Sequence, residues 1–416
     1  MVSEVSELAY KDLIVALEEL FAEGEAGATA RERSAFDLMA GPSKAPIVLF
    51  GAGRVGRKTV TGLRKAGIEP IAFVDNDARL WNTSVEGVKV LSPAEAAKRH
   101  GDQATFVITI WRGEATDRMS QREAQLRSLG CRYVVTFPPL FWKHAEAFLP
   151  HYAVDLPHRV HQQADDVRRA GRLWSDDASR SEYLAQLRWR LLGEFDALYR
   201  PVQHTMYFPL DLCPLTDHEV FVDCGAYDGD SVRSFLDQSK KSFQRIYSFE
   251  PDPANFEKLE KDVALRPERE SITLQRAAVG AHTGTVTFSG DGNEASSVGK
   301  GGMVVDCVTL DQVLSGTQPT YIKIDIEGAE LDALNGARGI IQRYSPVLAV
   351  CTYHVQDHLW KIPLLIQSIN PNYSFFLHPH LVEGWDLVCY AIPKSRLRFA
   401  SKAGCVERAS SGDGYP

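Results

Sequence analysis

The sequence predicts an α/β chain of two doubly wound, Rossmann-like domains. Three observations predict it. Short apolar runs alternate with helical periodicity from Ile47 to Phe137 and again from Glu219 onward, the pattern of parallel strands covered by helices. Each block opens with a strand that runs into a glycine turn, GAGRVG at 51–56 and DCGAYDG at 223–229. At 416 residues the chain also exceeds what one ordinary core holds.

The elements follow in order. Residues 1–40 read as a helix and linker, because Val5, Leu8, Leu13, Leu17 and Leu20 fall near helical spacing over 4–21. GPSKAP at 41–46 marks a boundary. The first domain, 41–150, then runs strand IVLF, glycine loop, helix 54–66 and strand IAFVD. It continues through VKVLSPAEAAKRH to strand TFVITI, a helix over 114–129 and strand YVVTF. Residues 151–205 give no strand signal. SRSEYLAQLRWRLLGEFDALYR (179–200) has helical periodicity up to Pro201 and reads as a connector whose Leu and aromatic stripe packs on one or both domains. The second domain, 206–395, has strands VFVD, RIYSFE, ITLQRAAV, YIKIDI and PVLAVCTY, then YSFFLH and DLVCYAIP as an antiparallel hairpin. Residues 396–416, ending ASSGDGYP, read as a disordered tail.

Composition narrows the class. A net charge of −8 argues against a general nucleic-acid binder, which needs clustered Lys and Arg. No apolar run approaches 18 residues, and the acidic, amphipathic start MVSEVSELAYKDL has neither the basic start nor the apolar core expected of a signal peptide. Seven scattered cysteines without a CxxC pair fit a reduced, cytoplasmic protein without a structural zinc cluster.

The two glycine turns differ in electrostatics. Gly51, Gly53 and Gly56 have GxGxxG spacing between strand and helix, with Arg54, Arg57 and Lys58 close by and Asp75 ending the next strand. That context suits NAD or another nucleotide, and equally a domain that keeps the glycines only for packing. In the second turn Asp223, Asp228 and Asp230 crowd Gly225 and Gly229. Three carboxylates repel a pyrophosphate but suit a ligand with a cationic end, such as S-adenosylmethionine. Glu250 ends the following strand, in register for ribose hydroxyls.

VFVDCGAYDGDS, YSFEPDP, RAAVG, VTLDQVL and YIKIDIEGAE occur in the order and approximate spacing of FkbM-family methyltransferases, which the chain resembles over 204–393 through CTYHVQDHLWKIPLLIQSI and WDLVCYAIP. Five parallel strands closed by an antiparallel pair likewise match the class I methyltransferase sheet. The resemblance implies S-adenosylmethionine-dependent methylation of an oxygen on a sugar, polyketide or other natural-product small molecule. Carried over, Asp223, Gly225, Ala226 and Gly229 bed the methionine part and Glu250 the ribose, with Tyr227, Asp230, Ser231, Pro251 and Asp252 also at the cofactor. Ala277 and Ala278 line the adenine, Asp325 meets the amino-acid end, and Tyr207 covers cofactor or acceptor. The likeness departs at FFLHPHLVEG, where a basic residue is expected around His378.

Methyl transfer to an alcohol needs a base. His354 is the first candidate, Glu327 the second, and both fall with Asp325 at the carboxyl ends of strands. A variant has Asp325, Glu327 and His354 hold a divalent metal, with His378 and His380 as added ligands. Glu330 reads as a helix-start acid. Tyr353, Trp360, Tyr373 and Trp385 are candidates for the acceptor wall or for core. Two roles stay open for the first domain. One is a nucleotide-sugar or NAD-dependent enzyme with the second domain auxiliary, although no Tyr-x-x-x-Lys pair follows GAGRVG. The other, favoured, is a non-catalytic role, as a homodimerisation module or a clamp on a carrier-bound or nucleotide-bound acceptor.

Overall fold

A computed structural model describes residues 10–42, 45–198, 201–289, 297–298 and 302–398. The expected tail lies beyond them apart from its first three residues, as do Val5 and Leu8. The chain begins with α1 (Tyr10–Phe21) and α2 (Gly24–Met39). The first alternating block is β1 (Ile47–Phe50), α3 (Arg54–Lys65), β2 (Ala72–Val74), β3 (Ser84–Val85), β4 (Val88–Leu91), α4 (Pro93–His100), β5 (Thr105–Ile108), α5 (Met119–Ser128) and β6 (Tyr133–Thr136). Its sheet order is β3-β4-β2-β1-β5-β6, parallel except for β3. β1 is flanked by β2 and β5, whose connections leave to opposite sides, so a crevice opens at its carboxyl end.

Helices α6 (Phe137–Lys143), α7 (Ala145–Phe148), α8 (Pro157–Gln162), α9 (Ala164–Gly171) and α10 (Asp177–Leu192) follow. The expected connector is more than a link. Tyr183, Leu187 and Leu191 of α10 enter the C-terminal core, while Ala185 and Trp189 enter the N-terminal one. The helix stops at Leu192 rather than 200, because Gly193 turns left-handed (φ +72) and its amide bonds back to Trp189. Leu13 and Leu17 of α1 are buried as their spacing predicts, but in the C-terminal core, against α9 and α10.

The second block is β7 (Val220–Cys224), α11 (Asp230–Gln238), β8 (Arg245–Phe249), α12 (Pro253–Ala264), β9 (Ile272–Gln275), β10 (Ala278–Val279), β11 (Gly284–Ser289), β12 (Ser297–Val298), β13 (Met303–Val308), α13 (Leu310–Val313), β14 (Tyr321–Ile324), α14 (Glu330–Asn335), α15 (Arg338–Tyr344), β15 (Val347–Cys351), α16 (His358–Ile369), β16 (Tyr373–Pro379) and β17 (Leu387–Pro393). Its main sheet, β16-β17-β15-β14-β7-β8-β9, has five parallel strands closed by the predicted hairpin, β17 lying antiparallel between β15 and β16. The methyltransferase variant of the doubly wound sheet is thus formed. Every residue of β7, β14, β15 and β17 is buried, which is why these strands read as continuous apolar runs.

One strand assignment fails. ITLQRAAV is not a single strand: the ladder breaks at Arg276 and Ala277, and β10 joins a separate sheet, β10-β13-β11-β12. That sheet was missed. MVVDCV carries only the weak alternation of a sheet wetted on one face, with Val304 and Asp306 exposed.

Polar contacts seal the two halves. Trp111 Nε1 donates to Glu383 O at 2.9 Å, Met119 N donates to the Glu383 carboxylate, and Arg122 lies 3.4 Å from Glu383 Oε2. Among the described residues six cysteines are free and buried. No helix there is long and apolar enough to cross a membrane.

Candidate active site

A cavity of about 340 Å³ opens at the carboxyl ends of β7, β8 and β14. Its floor is built by two crossing loops. Gly225 (φ +85) lies so close to β14's end that a Cβ would sit 1.8 Å from Asp325 O, so only glycine fits. Tyr207, Tyr227, Glu327 and Asp386 all line the cavity with positive φ. Such backbone costs on the order of 1–3 kcal/mol per residue and concentrates where ligands bind.

Most of the expected cofactor residues line this space: Tyr207, Gly225, Tyr227, Asp230, Ser231, Glu250, Pro251, Ala277, Ala278 and Asp325. Four do not. Asp223 is fully buried beneath the floor, where it takes the Ser231 hydroxyl at 2.5 Å and faces Lys323 at 3.1 Å. Asp252 caps α12 by accepting from Ala254 N and Asn255 N. Ala226 and Gly229 shape the turn without lining the cavity, and Gly229 (φ +93) starts α11.

This changes the electrostatic argument. Asp228 is paired with Arg233 at 2.6 Å and Asp223 with Lys323, so only Asp230 of the three turn acids faces the cavity. Among the described residues the acids lining the cavity are Asp230, Glu250, Asp325, Glu327 and Asp386, and the one lining cation is Lys323. Sequence reasoning passed over Lys323, though a lysine inside the apolar run YIKI was the available signal. Burial disfavours its charge, but Asp223, Asp325 and Asp230 outweigh that and raise its pKa. Its ammonium donates to Gly225 O at 2.6 Å and lies over the Tyr207 ring at 5.1 Å. Tyr207 in turn donates to Asp325 Oδ2 at 2.6 Å.

Glu250 accepts from Tyr227 N and Asp252 N, one amide per oxygen. Burial pushes its pKa up to about 7 against those amides. Glu327 is pushed up to about 8, first by burial. His354 and Arg54 pull it down, and Asp325 and Glu330 push it up.

His354 is a correction. Its side chain is 1% exposed and does not line the cavity; Nδ1 bonds Glu330 at 2.8 Å and Nε2 lies 3.4 Å from Asp325. Burial opposes its charge, but Glu330, Glu327 and Asp325 raise its pKa to about 10. With Nδ1 engaged by Glu330, Nε2 beside Asp325 and no place on the cavity lining, this imidazole does not face an acceptor bound there, whereas Glu327 does. Glu330 is no mere helix-start acid either: it accepts from Ile326 N, Gly328 N and His354, and lies 2.9 Å from His358 Nδ1. The expected metal set is likewise displaced. The groups that converge within 4.8 Å are Asp325, Glu330 and His354, with Glu327 outside, and Glu330 is engaged by two amides and His354.

His378 bonds His204 at 2.7 Å and His380 bonds Tyr390 at 2.8 Å, both away from that cluster. Burial lowers His378 to about 4, so it does not supply the basic residue expected there. Of the four candidate aromatics, Tyr353 lines this cavity and Trp360 and Tyr373 are core. Trp385 lines a second cavity, at the carboxyl end of β1, with Gly51, Gly53 and Asp75. Gly56 serves packing there: a Cβ on it would lie 1.9 Å from Gly51 O.

A doubly wound sheet with a terminal hairpin and an acid-rich cavity at its switch point is the architecture of the class I methyltransferases. Residues 223–378 match the family model of the methyltransferase FkbM domain. That match spans 156 of the 416 residues, all in the C-terminal block, which is thus similar to the methyltransferase FkbM domain. No curated protein matches the chain. Among solved structures it is similar to the methyltransferase FkbM of Methylobacillus flagellatus KT, with 24% identity and a TM-score of 0.75, covering 93% of this chain and 100% of that one. This likeness shows the fold across both domains. Weaker matches include the Methanococcus jannaschii fibrillarin pre-rRNA processing protein, 12% identical over 43% of this chain and 68% of that one, with a TM-score of 0.29. Another is the Podospora anserina methyltransferase PaMTH1, 11% identical over 42% of this chain and 72% of that one, with a TM-score of 0.25.

Proposed function

We propose that the chain is an S-adenosylmethionine-dependent O-methyltransferase acting on a hydroxyl of a sugar, polyketide or similar small molecule, with Glu327 as general base. The observation that carries this reading is the lining of the cavity: among the described residues, five acidic side chains and one buried lysine surround a turn that demands glycine. A donor with an ammonium and a sulfonium and no phosphate fits that lining.

The donor supplies a methyl carbon already activated by positive sulfur. The chain holds and orients it. Glu250 has a lone pair left on each oxygen for the ribose hydroxyls, and Ala277 and Ala278 leave a flat, small-sided slot for the adenine. Gly225 and Tyr227 bed the methionine part. Asp325, fixed by the Tyr207 hydroxyl, takes the ammonium. As the acceptor oxygen bonds to carbon and the carbon–sulfur bond breaks, the hydroxyl proton passes to Glu327. A base with a pKa near the working pH is well matched to that step. Holding both partners in near-attack geometry supplies a further ~7–11 kcal/mol. The His354–Glu330 pair acts from behind, positioning the Asp325–Glu327 loop.

Incubation with S-adenosylmethionine and a panel of hydroxylated sugars and polyketides tests this. Release of S-adenosylhomocysteine with one acceptor, lost in Glu327→Gln, is the expected result. Methylation of a nitrogen or carbon, or full activity in Glu327→Gln, would overturn it.

A further inference from the structure

We infer that the N-terminal cavity holds the nucleoside diphosphate part of the methyl acceptor, presenting its sugar to the methyl-donor cavity across the domain boundary. This deepens the reading above and rests on it.

The cavity, about 680 Å³, opens where α3 begins. Gly53 precedes that 12-residue helix, no side chain caps it, and a Cβ on Gly53 would meet nothing within 4 Å. Backbone amides are thus open to an anion. The rim acids are already engaged: Asp77 with Arg79, Asp117 with Arg122, and Asp75 with Ala52 N and Asp77 N. Arg54 and Arg112 line the same space and form no ion pair or hydrogen bond among the described residues. Two unpaired guanidiniums beside an uncapped helix start match a diphosphate.

Two further atoms await a ligand. His151 Nε2 and Trp385 Nε1 are shielded from solvent, lack hydrogen-bond partners and belong to residues lining the cavity. Trp111, 4.6 Å from the Trp385 ring, adds a flat wall for a base or sugar.

Position decides between sources of a nucleoside diphosphate. Trp385 lines this cavity, and its neighbour Asp386 lines the donor cavity. Tyr353 of the donor cavity packs 5.9 Å from the Trp385 ring. Arg54 is near enough to act on Glu327. A redox dinucleotide has no use for that junction, whereas a nucleotide-linked acceptor needs it.

The test titrates the full chain with UDP, dTDP, GDP, ADP and NAD, and in parallel with S-adenosylhomocysteine. One nucleoside diphosphate should bind, at least tenfold more weakly in Arg54→Ala/Arg112→Ala and unchanged in Arg57→Ala, whose side chain lies outside the cavity. S-adenosylhomocysteine should bind all variants alike. No binding of any diphosphate, tightest binding of NAD, or indifference to the two arginines would overturn the inference. Loss of S-adenosylhomocysteine binding by the wild type would instead count against the methyltransferase reading. The two failures are separable because the cavities share no lining residue.

Discussion

Lys323 Nζ stands 3.1 Å from Asp223 Oδ1 at the floor of the C-terminal cavity, and both side chains are almost wholly shut off from water. A buried pair is costly to break, because the remaining charge has no partner. Lys323→Met should therefore cost on the order of 3–5 kcal/mol. Lys323→Met/Asp223→Asn should recover most of it. Urea unfolding reads both, and a single variant as stable as wild type would contradict the pairing.

Glu327 sets a pH dependence. Its pKa of about 8 comes from burial, with Asp325 and Glu330 adding to it and His354 and Arg54 subtracting. A base works deprotonated, so kcat/KM should rise with pH and level off above about 8. Glu327→Gln should lower kcat by about 10²–10⁴-fold, abolish that limb and keep donor affinity. A retained limb would move the base elsewhere.

His354 and Glu330 give opposite signs. The folded pKa of His354 is raised, so its contribution to stability is full below its ordinary value of 6.5 and fades as pH rises through about 10. Glu330 is held well below its ordinary value of 4.5, despite burial, mainly by His354. Its contribution holds above 4.5 and is lost on acidification. His354→Gln should therefore lose more stability at pH 6 than at pH 9.5, relative to wild type. Parallel urea midpoints across that range would refute the imidazolium assignment.

Gly225→Ala should destabilise by at least about 1–3 kcal/mol, the scale of forced left-handed backbone, since its Cβ would strike Asp325 O at 1.8 Å. It should also weaken donor binding, because the two loops of the floor would part. Differential scanning calorimetry with and without S-adenosylhomocysteine checks both effects.

Much of this was legible in the chain. Continuous apolar runs such as VFVD and PVLAV announced the buried parallel strands, and the glycine spacing placed both cavities at strand ends. Glu250 was legible as a residue of the cavity lining because it ends the second strand. What escaped depends on side-chain direction and distant partners. Asp228 and Asp223 read as ligand-facing until Arg233 and Lys323 are seen beside them. His354 reads as a base until three carboxylates close round it. The β11–β13 sheet escaped because a wetted sheet carries only a weak alternation.

The most direct test of the account is calorimetric titration of S-adenosylhomocysteine into the wild type and Glu250→Ala. Saturable binding to the wild type, weakened at least tenfold in a Glu250→Ala protein that melts at a similar temperature, is the predicted result. No binding to the wild type, or equal binding to both, would contradict the placement of the methyl donor in the C-terminal cavity.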